Sequence, residues 1–135
     1  MHEQERLAAG RRIRTEVLGE RVTSSPNPSK FKKAFQDFTI EHCWANVWMR
    51  PGLDRKMRSM LNLAMLAAMA RWNEFEMHVG GALRNGVSED EIIEVVLQAG
   101  VYAGMPIASE AMRVAERAVD TYRAEEAGPA EPKTG

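Results

Sequence analysis

The stretch RWNEFEMHVGGALRNGVSEDE, residues 71–91, decides how the rest of the chain is organised. It predicts a short helix, a stop at Gly86 and the start of a second helix, because glycine permits the left-handed turn that ends helices. Glu74 and His78 are four residues apart, so their side chains share one face of the first helix. At about 100° per residue, His78 lies at the edge of the apolar arc that contains Phe75. An imidazole there, one turn from a carboxylate, is a candidate acid or base; the alternative is a half-buried histidine bonded to its helix neighbour.

Capping residues and hydrophobic periodicity predict an all-α chain. Ser88 and Glu91 have capping-box spacing, Asn73 and Glu76 have the same reach, and Asp54 is a predicted N-cap. No alternating strand pattern is present. The six predicted helices span residues 3–18, 30–48, 54–70, 73–85, 89–102 and 107–123.

The domain prediction is one helical domain over residues 1–123, followed by a disordered tail over residues 124–135 that is rich in Pro, Gly and Glu. The third predicted helix is apolar on nearly all sides, so it is placed at the centre of the bundle with Leu61, Met65 and Met69 facing inward. The abundance of Ala and Met also indicates that some apolar faces meet a partner subunit.

The overall composition is that of a soluble globular domain. The chain has 135 residues, 44% hydrophobic and 27% charged, with a net charge of −1. This balance gives no electrostatic reason to expect nucleic acid or an anionic membrane as a partner. No apolar run approaches the ~20 residues of a membrane span. The charged N-terminus lacks the apolar core of a signal peptide, so a cytoplasmic protein is predicted.

The cysteine and histidine content predicts neither a metal nor a cofactor. Cys43 is the single cysteine, so no internal disulfide or dithiol couple can form. The three histidines, His2, His42 and His78, do not have the spacing of a known ligand motif.

Four segments together resemble the carboxymuconolactone decarboxylase family. Residues 48–68 read WMRPGLDRKMRSMLNLAMLAA, and residues 73–115 read NEFEMHVGGALRNGVSEDEIIEVVLQAGVYAGMPIASEAMRVA. The segments GRRIRTEVLGERV and FTIEHCWANVW extend the likeness to roughly residues 6–120 and favour the free-standing decarboxylases of the family. The combination is specific, whereas any one segment alone is weak.

The resemblance implies an alkylhydroperoxidase-D-like helical subunit that forms a ring-like homo-oligomer, a hexamer or a trimer. It implies cofactor-independent decarboxylation of 4-carboxymuconolactone, a small carboxylated lactone, to 3-oxoadipate enol-lactone. Positions that match the family pattern supply the candidate catalytic residues His78, Glu74 and His42, and the candidate substrate-binding residues Trp44, Trp48, Arg50, Arg58 and Tyr102. The ordinary alternatives are an aromatic core stripe for the tryptophans and surface or interface ion pairs for the arginines.

The sequence departs from the close decarboxylases at several positions. Ala45 and Asn46 follow the tryptophan, Asn73 replaces a glutamate, and Glu76 and Gly80 stand where arginines are expected. If those arginines touch substrate, a dicarboxylate lactone is in doubt; if they are solvated, the departure means little. Two other functions therefore stay open. One is a peroxidase of the alkylhydroperoxidase-D type, which would need a Cys-x-x-Cys relay, and the other is a non-catalytic binding protein of the same fold.

Overall fold

The computed structural model of the protein describes residues 1–128, and all regular structure in that range is helical. The elements are α1 (Glu3–Leu18), α2 (Glu20–Thr23), α3 (Lys30–Thr39), a π-helical segment (Ile40–Trp48), α4 (Arg55–Ala68), α5 (Trp72–Arg84), α6 (Glu89–Ala103) and α7 (Met105–Ala127). The predicted all-α class is confirmed. Over the described part of the chain, no helix has both the length and the apolarity needed to span a bilayer.

The main core is formed where α4, α5, α6 and α7 meet. Leu63, Phe75, Ile92, Val96 and Val114 are its central buried side chains. Each comes from the apolar stripe of its own helix, and burial of such a side chain contributes roughly 1.5–3 kcal/mol. This core therefore holds α5, the helix that carries His78, in a fixed position.

A second core lies on the other side of α5, between α1 and the π-helical segment. Val17, Trp44 and Trp48 are among its buried residues. The contact of α1 with both neighbours is close: a Cβ on Gly10 would lie 3.0 Å from the Ala45 Cβ, and one on Gly81 would lie 3.0 Å from Val17 Cγ1. Because interiors are close-packed, α1 sets the spacing between the π-helical segment and α5.

The predicted caps were right in two cases and wrong in one. Ser88 and Glu91 form both bonds of a capping box, and Asp54 accepts a hydrogen bond from the Met57 N–H at 2.8 Å. Asn73 is not the cap of α5, because this helix begins one residue earlier with Arg71 at the N-cap and no side-chain cap bond. The chain turns there through Ala70, whose φ of 55° is left-handed.

The third predicted helix faces the opposite way from the prediction. Leu61, Met65 and Met69 are exposed, whereas α4 turns Leu63 and Ala67 into the core. A helix that is apolar on nearly all sides does not itself specify which face is buried. The packing of α5, α6 and α7 on the Leu63 side makes that choice.

Three further boundaries differ from the predicted ones. The short helix α2 was not predicted, and the predicted helix over residues 30–48 changes from α to π at Ile40. The last helix continues past Arg123 to Ala127, where Glu125 pairs with Arg21 at 2.7 Å and with Arg84 at 3.6 Å. Residues 124–127 of the predicted tail are therefore helical, and residues 129–135 lie outside the described range.

Candidate active site

His78 is a half-buried histidine with an unsatisfied nitrogen. Its Nδ1 atom is buried and has no hydrogen-bond partner among the described residues. Burial lowers the pKa of His78 to about 4, and the nearby Glu74 carboxylate acts weakly in the opposite direction. The imidazole is therefore neutral at pH 7, and its buried Nδ1 atom is left without a hydrogen-bond partner in the described range.

Two tryptophans form a wall beside this imidazole. The Trp44 ring is stacked on the His78 ring, with centroids 6.4 Å apart and planes within 12°. Trp48 packs on Trp44 at 5.0 Å, and both indoles are more than nine-tenths buried. Trp44 covers one side of the His78 ring and so adds to the burial that lowers the pKa of His78.

Both tryptophans lie on the π-helical segment. This segment runs over nine residues, whereas π geometry normally occupies single turns inside α-helices, frequently at functional sites. Trp44 and Trp48 are four residues apart and share one side of this segment, as they would in an α-helix. The spacing of aromatic residues in the sequence predicted their shared face but not this geometry.

Glu74 lies where the sequence placed it, one turn before His78 on α5. Its side chain is exposed and also borders a groove on the other side of the helix. The carboxylate acts on His78 through its charge alone. This arrangement agrees with the predicted partnership of the two residues.

His42 lies apart from this group, although it is on the same π-helical segment as Trp44. Its ring is exposed and packs on Phe38, with centroids 4.4 Å apart. Its Nε2 atom lies 3.8 Å from the Glu41 carboxylate. The predicted catalytic role of His42 stays a prediction.

Arg50 and Arg58 meet at the C-terminal end of the π-helical segment. The Arg58 Nη2 group donates to the Arg50 carbonyl at 3.1 Å, and the Arg58 Nε atom is buried without a partner in the described range. The Arg50 side chain is exposed. Since Trp48 precedes Arg50 by two residues, the Arg50 backbone and the Arg58 guanidinium that contacts it lie just past the end of the segment that carries the tryptophan wall.

Tyr102 is the predicted site residue that lies farthest from the expected position. It is 87% exposed at the end of α6. It borders an apolar groove of about 620 Å³ between α4 and α6, which none of the other seven predicted residues lines. Within one chain Tyr102 therefore borders this groove, and its predicted role in substrate binding stays a prediction.

A charged groove of about 510 Å³ lies between α5, α7 and the end of α1. Glu76 pairs with Arg117 there at 3.3 Å. Arg84, which was not singled out from the sequence, donates to the Val17 carbonyl at 3.1 Å, and its guanidinium lies 3.1 Å from where a Gly80 Cβ would be. A residue two positions from His78 is about 160° away around an α-helix. Glu76 and Gly80 therefore face this groove rather than the tryptophan wall.

Cys43 has the environment of an unreactive thiol. It is half-buried, and burial raises its pKa, opposed by a hydrogen bond from Trp48. A raised pKa disfavours the thiolate, which is the nucleophilic form. Over residues 1–128, no three histidine, cysteine or acidic side chains converge in the geometry of a metal site.

The lowered pKa of His78 predicts a pH-dependent stability. Between pH 6.5 and pH 4 the unfolded chain binds a proton at this residue and the folded chain does not, so stability falls as the pH drops through this window. The expected loss between pH 7 and pH 4 is about 3 kcal/mol in the free energy of unfolding. Urea unfolding of the wild type and of His78→Gln at both pH values measures it. An equal pH dependence in both proteins would contradict the assignment.

Comparison with known proteins agrees with this geometry. The sequence profile of the carboxymuconolactone decarboxylase family matches residues 33–117. A 4-carboxymuconolactone decarboxylase from Acinetobacter baylyi is 41% identical over 118 residues, which cover 86% of this chain and 88% of the relative. The nitrosuccinic acid decarboxylase npaB of Metarhizium robertsii is 41% identical over 113 residues, covering 82% of this chain and 79% of the relative. The chain therefore belongs to the carboxymuconolactone decarboxylase family and, like both relatives, is a carboxy-lyase.

Proposed function

We propose that the protein converts 4-carboxymuconolactone to 3-oxoadipate enol-lactone with loss of CO2, or acts in the same way on a similar small carboxylated ring. The observation that carries this proposal is the neutral, half-buried His78 with an unpartnered buried nitrogen beside the tryptophan wall. The name and the extent of the bacterial relative support the substrate. Incubating the pure protein with 4-carboxymuconolactone and following CO2 and enol-lactone tests it directly.

The proposed chemistry needs three functions from the protein. Breaking the carbon–carbon bond to CO2 leaves an electron pair on the ring, delocalised onto the lactone oxygens. A neutral imidazole N–H donates a hydrogen bond to that developing charge, and a proton is then delivered to the ring carbon. The buried wall of Trp44 and Trp48 keeps water away from the reacting carboxylate and favours the neutral product.

The arginines at the end of the wall supply the remaining function, which is to hold a carboxylate. Arg50 is free to bind because its side chain is exposed, whereas Arg58 is partly used in holding the Arg50 carbonyl. We therefore assign substrate contact to Arg50, and to Arg58 the support of the turn that joins the π-helical segment to α4.

Replacing Arg50 with Ala should raise KM by about tenfold to a hundredfold with little change in kcat, because a charge-assisted hydrogen bond to a carboxylate contributes roughly 1.5–3 kcal/mol. Steady-state kinetics on the lactone measure the effect. Arg113→Ala is the matched control, since Arg113 is a surface arginine paired with Glu110 on α7. An unchanged KM in Arg50→Ala would make Arg50 a structural residue.

The departures at Glu76 and Gly80 do not count against a carboxylated lactone. Both positions face the charged groove, so the cations absent there are not removed from the tryptophan wall. These departures were the feature that favoured a non-catalytic binding protein. A ligand that binds without release of CO2 would restore that alternative.

A second candidate substrate is an acyclic diacid with a nitro group beside the carboxylate. The fungal relative, named for nitrosuccinic acid, is as similar to this chain as the bacterial one. A nitro group accepts the electron pair left by CO2 as a lactone does, so the same hydrogen-bond donor would serve both. The ratio of kcat/KM for the two compounds decides between them.

A homo-oligomer, a trimer or a hexamer, is part of the proposal. The support comes from large apolar side chains left exposed on α3, α4 and α6, since contiguous apolar patches mark interaction sites. Sedimentation velocity of the purified protein measures the number of subunits.

A decarboxylase and a peroxidase should respond differently to the loss of the Cys43 thiol. Cys43→Ser should leave decarboxylation within about twofold of the wild type, because the thiol carries a raised pKa and no second cysteine exists for a relay. A coupled peroxide-consumption assay on both proteins is the measurement. Peroxide turnover that disappears in Cys43→Ser would support the peroxidase.

A further inference from the structure

We infer that a second copy of the chain lays its α6 along α3 and so contributes Tyr102 to the neighbouring subunit's site. The inference rests on the proposed homo-oligomeric decarboxylase and names both its interface and the residue that crosses it. Four observations carry it: an uncovered aromatic face, a matching apolar face, complementary charges and a common spacing.

The aromatic face belongs to α3. Phe31, Phe35 and Phe38 are 90%, 68% and 60% exposed, and no residue of this helix is buried. The fold leaves the phenylalanine side of α3 largely uncovered along all 10 residues of this helix, before it continues into the π-helical segment. Packing on another surface would therefore stabilise this helix and remove three phenylalanine rings from water.

The matching apolar face is on α6 of the same chain. Ile93, Leu97 and Val101 are exposed along it at intervals of four residues, and the Met-rich groove between α4 and α6 lies beside them. The phenylalanines repeat with nearly the same spacing. Residues three and four apart share a helix face, so the two stripes can interdigitate. The two faces differ, so repeating this contact head to tail gives a ring where the rotation between copies closes.

Charged residues favour a parallel arrangement of the two helices. Lys30 and Lys32 are at the start of α3, and Asp90 and Glu94 are near the start of α6. None of these four residues takes part in an ion pair within residues 1–128. A parallel contact places the two cations beside the two carboxylates, whereas an antiparallel contact separates them.

The parallel arrangement also determines what lies at the other end of the contact. Lys30 precedes His42 by twelve residues, and Asp90 precedes Tyr102 by twelve residues. At about 1.5 Å per residue both intervals span roughly 18 Å. Tyr102 of one copy therefore lies beside His42 of the next, where the His42 ring packs on Phe38. Two residues that match the family pattern for site residues, and that lie apart in one chain, are therefore brought together between two chains.

Charge reversal tests the interface independently of activity. The variant Lys30→Glu/Lys32→Glu should raise the dissociation constant of the oligomer at least about tenfold, because like charges then oppose each other. Adding Asp90→Lys and Glu94→Lys to the same chain should restore association. Arg11→Glu/Arg12→Glu on α1 is the control for the change in net charge. An unchanged dissociation constant in the first variant, or no recovery in the fourfold variant, would overturn the interface.

Subunit mixing tests the contribution of Tyr102. His78→Gln and Tyr102→Ala chains, each weakly active alone, are unfolded together in equal amounts and refolded. If Tyr102 acts across the interface, about a quarter of the sites in a random ring combine a native His78 with a native Tyr102, and activity rises toward that fraction. Activity equal to the mean of the two variants would overturn the contribution. If no substrate is turned over at all, the charge-reversal result still decides the interface.

Discussion

Replacement of His78 with Gln is expected to lower kcat by about two orders of magnitude or more. Gln keeps an N–H donor, but its flexible amide does not hold that donor where the packed imidazole ring holds it. The position beside Trp44 and the unpartnered Nδ1 atom make this imidazole the candidate for the hydrogen bond to the developing charge. Because the loss is in the chemical step, kcat and kcat/KM should fall together.

The control for this variant is His2→Gln, which removes an exposed histidine ahead of α1 and should leave kcat unchanged. Circular dichroism and sedimentation of His78→Gln should match the wild type, which separates a catalytic loss from a folding defect. A variant that retains a near wild-type rate would show that His78 is not the catalytic group.

Replacement of Trp44 with Ala is expected to lower the free energy of unfolding by about 3–5 kcal/mol. Trp44 is only 4% exposed and joins the second core to the His78 ring. The same change opens a route for water, so the pKa of His78 should rise from about 4 toward its ordinary value. Denaturant unfolding measures the first effect, and an NMR titration of the imidazole measures the second.

Val47→Ala is the matched control, since Val47 lies on the same π-helical segment but is 43% exposed. It should cost less than about 1 kcal/mol and leave the pKa of His78 where it is. A Trp44→Ala protein in which the imidazole still titrates near pH 4 would show that the tryptophan is not the cause of the lowered pKa.

The helices were largely predictable because their signals are local. The α1 bounds, the Asp54 cap and the Ser88 capping box each depend on residues within one turn of each other. The π-helical segment was not predictable in this way. An α-helix and a π-helix bury similar aromatic patterns, and the choice at Ile40 depends on close packing against Gly10 of α1.

The candidate site was predicted as one group of residues and is found in parts. His78, Trp44 and Trp48 are in contact, and Arg50 and Arg58 follow at the end of the wall. The roles of these residues stay predictions until the variants are measured. His42 and Tyr102 lie apart from the tryptophan wall because of the way the helices pack on one another. The spacing of residues along one helix does not specify that packing.

The amino-acid sequence by itself determined the all-α class, most helix bounds and the family, because these depend on local periodicity, capping and the order of short motifs. The tertiary structure alone decided which side of α4 is buried. It turned Leu61 and Met65 outward, set Glu76 and Gly80 on the face away from His78, and closed the tryptophan wall over the imidazole. The physical reason is that burial and desolvation are properties of packed surfaces. Residues 71–91 supply His78, and burial among the surrounding side chains lowers the pKa of His78 so that the imidazole is neutral at pH 7.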